Sequence, residues 1–429
     1  MLSISVSHSL PKHVFQNFTK NVGSPKVVLL LISLAVLALP TLLMAQAGTL
    51  DPTFGTGGIA TTANTSANAA ALQSDGKIVV AASISTEGGL LRYTTSGALD
   101  SSFGTGGEVL IGTNNVGPAF AVAIQTDGKI LAAAPTSLRL TVFRFNSNGS
   151  LDNTFGSNGA VTIQAAGRFF PPISGGLILQ PDGRIPVGTG NVAARLLANG
   201  QLDSTFGSNG LAATVGGDSL ALLPSGVTAA SDILIGTGSV MSLYAPNGSL
   251  VTNFGVNGQT PGFAFNDRGG FVVNTSSATV SRIITARSLT VSSSLTFAQT
   301  VSGFLLEGYN FDGTIDNSFG THGGVVTPFP GNILAHAFAV ALQTNGDIVA
   351  AGQTALTDVD AVPGPSDFAL VRYNSNGSID TTFGKGGFVS TAFGTSEAFA
   401  NTVLIQTDGK IVAVGNSNGG TTLARYLGN

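Results

Sequence analysis

The sequence has no cysteine and no tryptophan, and only 9% of its 429 residues are charged. The lack of cysteine excludes disulfides and thiolate metal ligands, so the fold must rest on burial and hydrogen bonds. The 18 Lys and Arg residues stand against 22 Asp and Glu, and no basic cluster follows residue 47. Nucleic-acid binding needs a basic surface that displaces counterions, so the composition argues against that partner.

Residues suited to acid–base or metal chemistry are also scarce. After residue 47 the histidines are His322 and His336, which lack the His-Glu-x-x-His spacing of a zinc site. Glycoside hydrolysis needs two carboxylates held about 5–10 Å apart, and no such pair stands out. Asp358-Val359-Asp360 is like half of a calcium loop, but it lacks the Gly and Glu that complete one. We therefore predict no catalytic residue, no cofactor and no metal.

What the sequence does contain is a Leu-Asp-x-x-Phe-Gly motif that recurs, with some variation, seven times. The steps between successive phenylalanines are 49, 52, 51, 48, 65 and 64 residues. A period of this size predicts a propeller or a repeat array. We expect each phenylalanine to be a wedge packed between neighbouring units. They are Phe54, Phe103, Phe155, Phe206, Phe254, Phe319 and Phe383.

Each repeat also carries the turns and short apolar runs of a four-stranded unit. In the second repeat, residues 119–125 lead into Thr126-Asp127-Gly128, and two further runs, 129–133 and 140–145, end at Asn146–Gly149. Asp-Gly and Asn-Gly between apolar runs are strong hairpin signals because these residues tolerate positive φ. Four short strands in each repeat match a propeller blade. The sequence therefore predicts an all-β, seven-bladed β-propeller of four-stranded blades.

The two ends of the repeat region complement each other. The last repeat stops at residues 425–429, before the place of the next motif, while the first motif, at Leu50, has no strand before it. Joining the ends gives a step from Phe383 to Phe54 of 53 residues, within the observed range. An open solenoid would need polar caps instead. We predict that the strand near Gly58–Thr62 closes the ring by pairing with the C-terminal blade.

The repeats resemble a known family. Residues 368–384, FALVRYNSNGSIDTTFG, together with Gln406-Thr407-Asp408-Gly409-Lys410-Ile411, resemble the delta-60 repeat family of bacterial β-propellers. The resemblance covers nearly all of the chain from Gly48 onward and weakens between residues 220 and 312, where a Ser/Thr-rich insertion at 281–303 adds length. It implies a secreted propeller without a defined activity. A more distant similarity is to NHL-type blades, which usually bind other macromolecules.

The first 47 residues are predicted to be a secretory signal peptide, followed by a single propeller domain at 48–429. A mildly basic stretch precedes the apolar run Val27–Met44, and Ala45-Gln46-Ala47 offers the pattern that signal peptidase cleaves. We expect cleavage after Ala47 and a secreted or periplasmic protein without a membrane segment. The alternative is an uncleaved anchor, because 18 largely apolar residues nearly span a bilayer. Pro40 and the cleavage pattern favour removal.

The repeats carry an Arg eight residues before the motif Asp, as in Arg372 and Asp380. In the fourth repeat both positions are apolar, which favours a buried ion pair that was lost as a unit. In the fifth repeat Gly308 replaces the Arg while Asp316 remains, which favours an Asp that caps its own turn. Both interpretations stay open at the level of the sequence.

The turns and the other connections differ in their variability. The Asp-Gly and Asn-Gly turns are short and uniform, whereas the connections between the other strands vary, from Ala81–Gly89 to Gly352–Asp367. We expect the two sets on opposite faces of the propeller. Binding residues concentrate in loops on rigid scaffolds, although solvated loop residues are the simpler interpretation. The candidate ligand-binding residues on the variable face are Arg168, Phe169, Phe170, Asp358, Asp360, Asp367 and Glu397.

These observations favour a secreted, non-enzymatic propeller that acts as a binding or structural module at or outside the cell envelope. We expect a monomer whose partner is a polysaccharide or an envelope protein. The alternative is an extracytoplasmic hydrolase or lyase acting on polysaccharide. Carboxylates or histidines from different blades converging at the channel mouth would favour the enzyme, and a polar channel poor in carboxylates would favour binding.

Overall fold

The protein is described here by a computed structural model. It covers residues 46–111, 116–136, 139–164, 175–189, 192–214, 219–224, 232–236, 240–261, 269–274, 281–292, 300–331, 334–355, 365–394 and 396–428. The chain divides into two compact units, Met1–Gln46 and Ala47–Asn429. All but the last two residues of the predicted signal peptide lie outside the described part. Regular structure in the described ranges is entirely β, and no helix there has the length and apolarity that crossing a bilayer requires.

Seven antiparallel sheets form the blades, and the first strand of each blade borders the central channel. The last blade receives β1 (Ile59–Ala63). Blade 1 consists of β2 (Thr65–Leu72), β3 (Ile78–Ile84), β4 (Glu87–Tyr93) and β5 (Glu108–Leu110). Blade 2 consists of β6 (Ala121–Ile124), β7 (Ile130–Thr136), β8 (Arg139–Phe145) and β9 (Ala160–Ile163). Blade 3 consists of β10 (Gly176–Leu177), β11 (Ile185–Thr189), β12 (Val192–Leu196) and β13 (Leu211–Ala213).

The remaining four blades follow the same strand order. Blade 4 consists of β14 (Ser219–Leu222), β15 (Ile233–Gly236) and β16 (Met241–Tyr244). Blade 5 consists of β17 (Gly270–Asn274), β18 (Arg282–Ser292), β19 (Thr300–Tyr309) and β20 (Gly324–Pro328). Blade 6 consists of β21 (Leu334–Leu342), β22 (Ile348–Ala355), β23 (Ser366–Tyr373) and β24 (Phe388–Thr391). Blade 7 consists of β25 (Ala398–Ile405), β26 (Ile411–Ser417) and β27 (Gly420–Tyr426), and β1 is the outer strand of this blade.

The ring closes as predicted. β1 pairs antiparallel with β27 over the register Ile59↔Ala424 to Ala63↔Gly420. Each innermost strand contacts those of its two neighbours, and β25 contacts β2 across the closure. The seven-bladed propeller predicted from the repeat period is therefore confirmed.

Because of the closure, one turn of blade 7 is built from both the N-terminal and the C-terminal segments of the propeller. In blade 1, Gly97 donates its N–H to the Thr94 carbonyl, at 3.0 Å. In blade 7 the same bond runs from Gly48 to the Leu427 carbonyl, at 2.7 Å, so the turn is built from residues near 427 and near 48. Ala47 belongs to this turn, since its carbonyl accepts the N–H of Gly384 at 2.7 Å and its side chain is buried.

Two blades depart from the uniform pattern. Within the described residues blade 4 has three strands, and a single bridge between Ser242 and Gln259 takes the place of its outer strand. In blade 5 the insertion predicted at 281–303 lengthens the central hairpin, because pairing continues from Ile283↔Tyr309 to Ser292↔Thr300. The insertion thus extends two strands.

The core lies between the blades. The seven motif phenylalanines are at most 1% exposed and belong to the apolar clusters between neighbouring sheets, which confirms their role as wedges. Burying a side chain of this size contributes about 1.5–3 kcal/mol. Buried tyrosines add polar contacts between blades: the Tyr373 hydroxyl lies 2.9 Å from the Thr327 Oγ1, and the Tyr426 hydroxyl lies 2.7 Å from the Thr391 Oγ1.

Candidate functional site

The antiparallel strand order sorts the connections of every blade onto two faces. In blade 1 the turns β2–β3 and β4–β5 lie on one face, which we call the turn face. The β3–β4 turn and the link to the next blade lie on the other, which we call the loop face. The predicted separation of uniform and variable connections is confirmed. The prediction that residues Ala81–Gly89 form a loop is wrong for most of that range, because β3 continues to Ile84 and β4 begins at Glu87, which leaves a two-residue turn at Ser85 and Thr86.

On the turn face the repeated Arg and Asp form buried ion pairs. The Arg Nε lies 2.7–3.0 Å from the Asp Oδ2 in five blades: Arg92–Asp100, Arg144–Asp152, Arg195–Asp203, Arg372–Asp380 and Arg425–Asp51. The other carboxylate oxygen caps the turn. The Oδ1 of Asp380 accepts hydrogen bonds from the N–H of Thr382 at 3.0 Å and from its hydroxyl at 2.7 Å. Ion pairing and turn capping, which the sequence left as alternatives, are both correct.

Each guanidinium also joins its blade to the next one. Arg144 Nη1 donates to the Ala198 carbonyl of blade 3 at 2.7 Å, and Arg425 Nη1 donates to the Thr95 carbonyl of blade 1 at 2.6 Å. The Arg144 guanidinium carbon lies 4.6 Å from the centre of the Phe155 ring, close enough for a cation–π interaction. The repeated charges therefore hold blades together.

These contacts keep the carboxylates ionised. Burial by itself would raise the pKa of Asp203, but hydrogen bonds from Thr205 and the positive charges of Arg195 and Arg184 lower that pKa to about 2. The pKa values of Asp100 and Asp152 are also lowered, by hydrogen bonds and neighbouring cations that outweigh burial. Since their charges are neutralised by partners within the fold, the turn face offers few groups to a ligand.

The central channel contains a pocket of about 390 Å³ to which all seven innermost strands contribute. Its lining is dominated by small and apolar residues, including Ala69, Ala121, Gly176, Gly270 and Ala339. Asn401 and Thr402 supply polar side chains from blade 7. Among the described residues that line the pocket there is no Asp, Glu or His. The described lining of the pocket therefore offers no carboxylate or imidazole.

Three half-buried aromatic rings lie where the inner strands of blades 6 and 7 begin, at the loop-face end of the channel. The ring centres of His336 and Phe338 are 6.3 Å apart, and those of Phe338 and Phe399 are also 6.3 Å apart. Both pairs are edge to face, a favoured geometry for aromatic rings. The Nε2 atom of His336 is buried and finds no hydrogen-bond partner among the described residues. We call these three residues the aromatic mouth.

β-Bulges set the positions of the aromatic mouth. The register of β21 on β22 shifts between Ala337 and Ala339, so that Phe338 is the extra residue, and it lines the channel pocket. The bulge brings the backbone close to its partner strand: a Cβ at Gly352 would lie 1.8 Å from the His336 carbonyl oxygen. Gly415 stands at the equivalent place beside the bulge of β25.

Of the candidate residues predicted from the sequence, Arg168, Phe169, Phe170, Asp358 and Asp360 lie outside the described residues. Asp367 is on β23, where its carboxylate accepts a hydrogen bond from the Ser390 hydroxyl at 2.6 Å. Glu397 is exposed just before β25, on the loop face. No ion pair or hydrogen bond connects these two residues in the described structure. They remain predictions as ligand contacts.

Sequence reasoning missed the aromatic mouth. A signal was present, because His336-Ala337-Phe338 and Phe399-Ala400-Asn401 occupy the same place in two consecutive repeats, with the aromatic residues out of phase. The contact between Phe338 and Phe399 depends on how neighbouring blades meet. In the described ranges no group of three or more His, Cys, Asp and Glu residues is placed to hold a metal ion.

Four segments of the sequence match a protein-family model. Residues 73–103, 125–155, 180–206 and 343–383 match the model described as a domain of unknown function (DUF5122) beta-propeller. The matched model describes a β-propeller family, which is consistent with a propeller repeat. Each matched segment begins at the Gln that precedes the first hairpin turn of its blade and ends at the motif Phe. The segments lie in blades 1, 2, 3 and 6. No protein of curated function matches the sequence significantly.

Solved structures with the same fold include two lyases. A catalytically inactive virginiamycin B lyase from Staphylococcus aureus with quinupristin is 9% identical, with a TM-score of 0.51, covering 85% of this chain and 98% of that chain. A streptogramin B lyase is 10% identical, with a TM-score of 0.51, covering 86% of this chain and 97% of that chain. At such low identity the likeness shows a shared fold and carries no shared activity.

Proposed function

We propose that this chain is a secreted, non-enzymatic binding propeller that holds its ligand at the loop-face end of the channel. The observation that carries the proposal is the aromatic mouth, formed by His336, Phe338 and Phe399 above a channel pocket without described acidic or histidine side chains. Ligand sites are typically concave and apolar, with a few polar groups that orient the ligand. In the aromatic mouth, the polar group that could orient a ligand is the buried Nε2 of His336.

The chemistry of the turn face supports the same choice of face. Its repeated arginines and aspartates are paired with each other, with turn hydroxyls and with carbonyls of the next blade. A ligand would have to compete with these contacts. The loop face carries the connections that vary in length between blades, and variable loops on a rigid scaffold are the usual place of binding residues.

Export and family are part of this proposal. The apolar run Val27–Met44 and Ala45-Gln46-Ala47 support a cleaved secretory signal. Cleavage after Ala47 would remove the carbonyl that accepts the Gly384 N–H. The repeats support membership of the delta-60 family, a finer assignment than the β-propeller family model.

A binding screen on residues 47–429, which form one compact unit, tests the proposed function. The immobilised protein is offered polysaccharides, oligosaccharides and solubilised envelope components. We expect a ligand whose affinity falls at least tenfold in Phe338→Ala and is unchanged in the turn-face variant Asp127→Asn. Binding that Asp127→Asn weakens and Phe338→Ala leaves intact would place the site on the turn face and overturn the proposal. Turnover of a bound substrate would overturn its non-enzymatic part.

A further inference from the structure

A second pocket lies on the loop face at the seam between blades 7 and 1. It has a volume of about 470 Å³, and its walls come from the link between β1 and β2, the β3–β4 turn and the β26–β27 turn. We call it the seam pocket. The side chains that matter for its chemistry are Asn64, Ser66, Ser83, Ser85, Thr86 and Asn416.

The lining of the seam pocket is polar but uncharged. Within the described residues its side chains are hydroxyls and amides, with no Asp, Glu, Lys, Arg or His. The hydroxyls of Ser66, Ser83, Ser85 and Thr86 make no hydrogen bond to other described protein groups and so are free for a ligand. A ligand that displaces water from these groups must replace the hydrogen bonds they lose. It must therefore present several donors and acceptors, and a net charge on it would find no opposite charge in the described lining.

The pocket is formed before any ligand arrives. Asn416 is held in place by two bonds to one residue: its Oδ1 accepts the N–H of Ala67 at 2.7 Å, and its Nδ2 donates to the carbonyl of Ala67 at 2.9 Å. The turns around the pocket have tight left-handed residues, with φ of 59° at Asn64, 56° at Ser85 and 50° at Asn418. A preorganised wall lowers the entropy that binding must offset.

An apolar surface borders the polar wall. Phe399 is directly opposite Asn416 in the β25–β26 register, so the two side chains lie on the same face of blade 7. Phe399 is half-buried and belongs to the aromatic mouth, so the register places one residue of the mouth beside Asn416 in the wall of the seam pocket. A ligand that fills both needs hydroxyl groups along one edge and an apolar face of C–H groups, which is the chemistry of a sugar ring.

From this placement we infer that the seam pocket binds a neutral saccharide unit, with Phe399 against the face of the sugar ring and the serine and threonine hydroxyls at its edge. The inference rests on the proposed function, since it names the ligand class for the same face. An extended peptide is less suited, because its backbone offers only one donor and one acceptor for each residue.

The test uses residues 47–429 with neutral gluco-, galacto-, manno- and xylo-oligosaccharides and, as charged counterparts, uronic-acid oligomers, measured by calorimetry. We expect binding to a neutral series, with Kd raised at least tenfold in Ser66→Ala/Ser83→Ala. The matched control, Ser101→Ala/Ser147→Ala, removes two exposed turn-face hydroxyls and should leave Kd unchanged. The melting temperatures of all variants are compared. A further variant, Ser85→Gly, removes a third hydroxyl without straining the turn, because Ser85 has a positive φ that glycine adopts readily.

The outcomes separate the inference from the proposed function. Binding restricted to uronic acids, peptides or lipid, still weakened by Phe338→Ala, would overturn the saccharide inference and leave the proposed function standing. Binding of a neutral sugar that the Ser66→Ala/Ser83→Ala variant does not weaken would also overturn the seam assignment. If no envelope component or saccharide binds the folded protein, both fail.

Discussion

Arg282 and Asp316 form an ion pair with Nη2 and Oδ2 3.1 Å apart, although Arg282 is not at the repeat position that supplies the arginine elsewhere. It begins β18, whereas the usual place, on β19, is Gly308. The guanidinium carbon of Arg282 lies 5.3 Å from the centre of the Phe319 ring, compared with 4.5–4.8 Å for the arginines of the five regular pairs. A Cβ at Gly308 would lie only 2.7 Å from the Phe319 Cβ, so this blade cannot carry a side chain there without a shift.

Replacing Arg282 should therefore destabilise the protein as strongly as breaking a regular repeat pair. Arg282→Leu leaves the carboxylate of Asp316 without its cation and removes the cation from the Phe319 ring. We expect a loss of up to about 3–5 kcal/mol in the free energy of unfolding, measured by urea denaturation. Arg139→Leu, at an exposed arginine without a described ion pair, is the control and should change stability by less than about 0.5 kcal/mol. Equal effects of the two changes would show that Arg282 has no special role.

The pair in blade 6 can be examined with a double-mutant cycle. Arg372→Leu and Asp380→Val should each destabilise the fold, because each leaves a buried charge without its partner. The double variant has the residues that stand in blade 4, where Leu243 is buried and Val251 packs beside it. We expect it to recover much of the loss. Strictly additive losses would show that the two residues act independently.

Acid should destabilise the protein only at low pH. The folded-state pKa of Asp203 is lowered to about 2, and the ordinary pKa in the unfolded chain is about 3.9. A lowered pKa stabilises the fold above the unfolded value, and this stabilisation is lost as the pH falls through the folded value. The free energy of unfolding should thus be steady near neutrality and fall from about pH 4 towards pH 2. Asp203→Asn should be less stable at pH 7 and show a shallower acid dependence; an unchanged slope would contradict this origin.

The ring closure predicts the effect of shortening the N-terminal side of the propeller. Removing residues 47–63 takes away β1 and uncovers the edge of β27, from Gly420 to Ala424. We expect aggregation and a lower melting temperature, because an uncovered strand edge can pair with other chains. A matched comparison starts the chain at Ala47 or at Gly48. The shorter form loses the carbonyl that accepts the Gly384 N–H, which should cost about 1 kcal/mol. Equal melting of the form without residues 47–63 would contradict the closure.

Much of the architecture could be predicted because its signals are local and repeat. The Asp-Gly turns require positive φ, as at Gly76 and Gly128, and each marks a hairpin. The phenylalanine period counts the blades. The loop predicted at Ala81–Gly89 is mostly strand, and its last two residues, Gly88 and Gly89, lie in β4. Pairing with neighbouring strands overrides the low strand preference of glycine.

The sequence by itself determined the number of blades, the closure of the ring and the separation of turns from variable connections, since all three follow from repeated short-range patterns. Only the tertiary structure decided which residues form the candidate site. Arg282 replaces an arginine from another strand because two strands present side chains to the same point. Phe338, the extra residue in the bulge of β21, meets Phe399 of the neighbouring inner strand. Such contacts depend on the packing of one strand or blade against the next, and no local sequence pattern encodes the distance between the side chains involved.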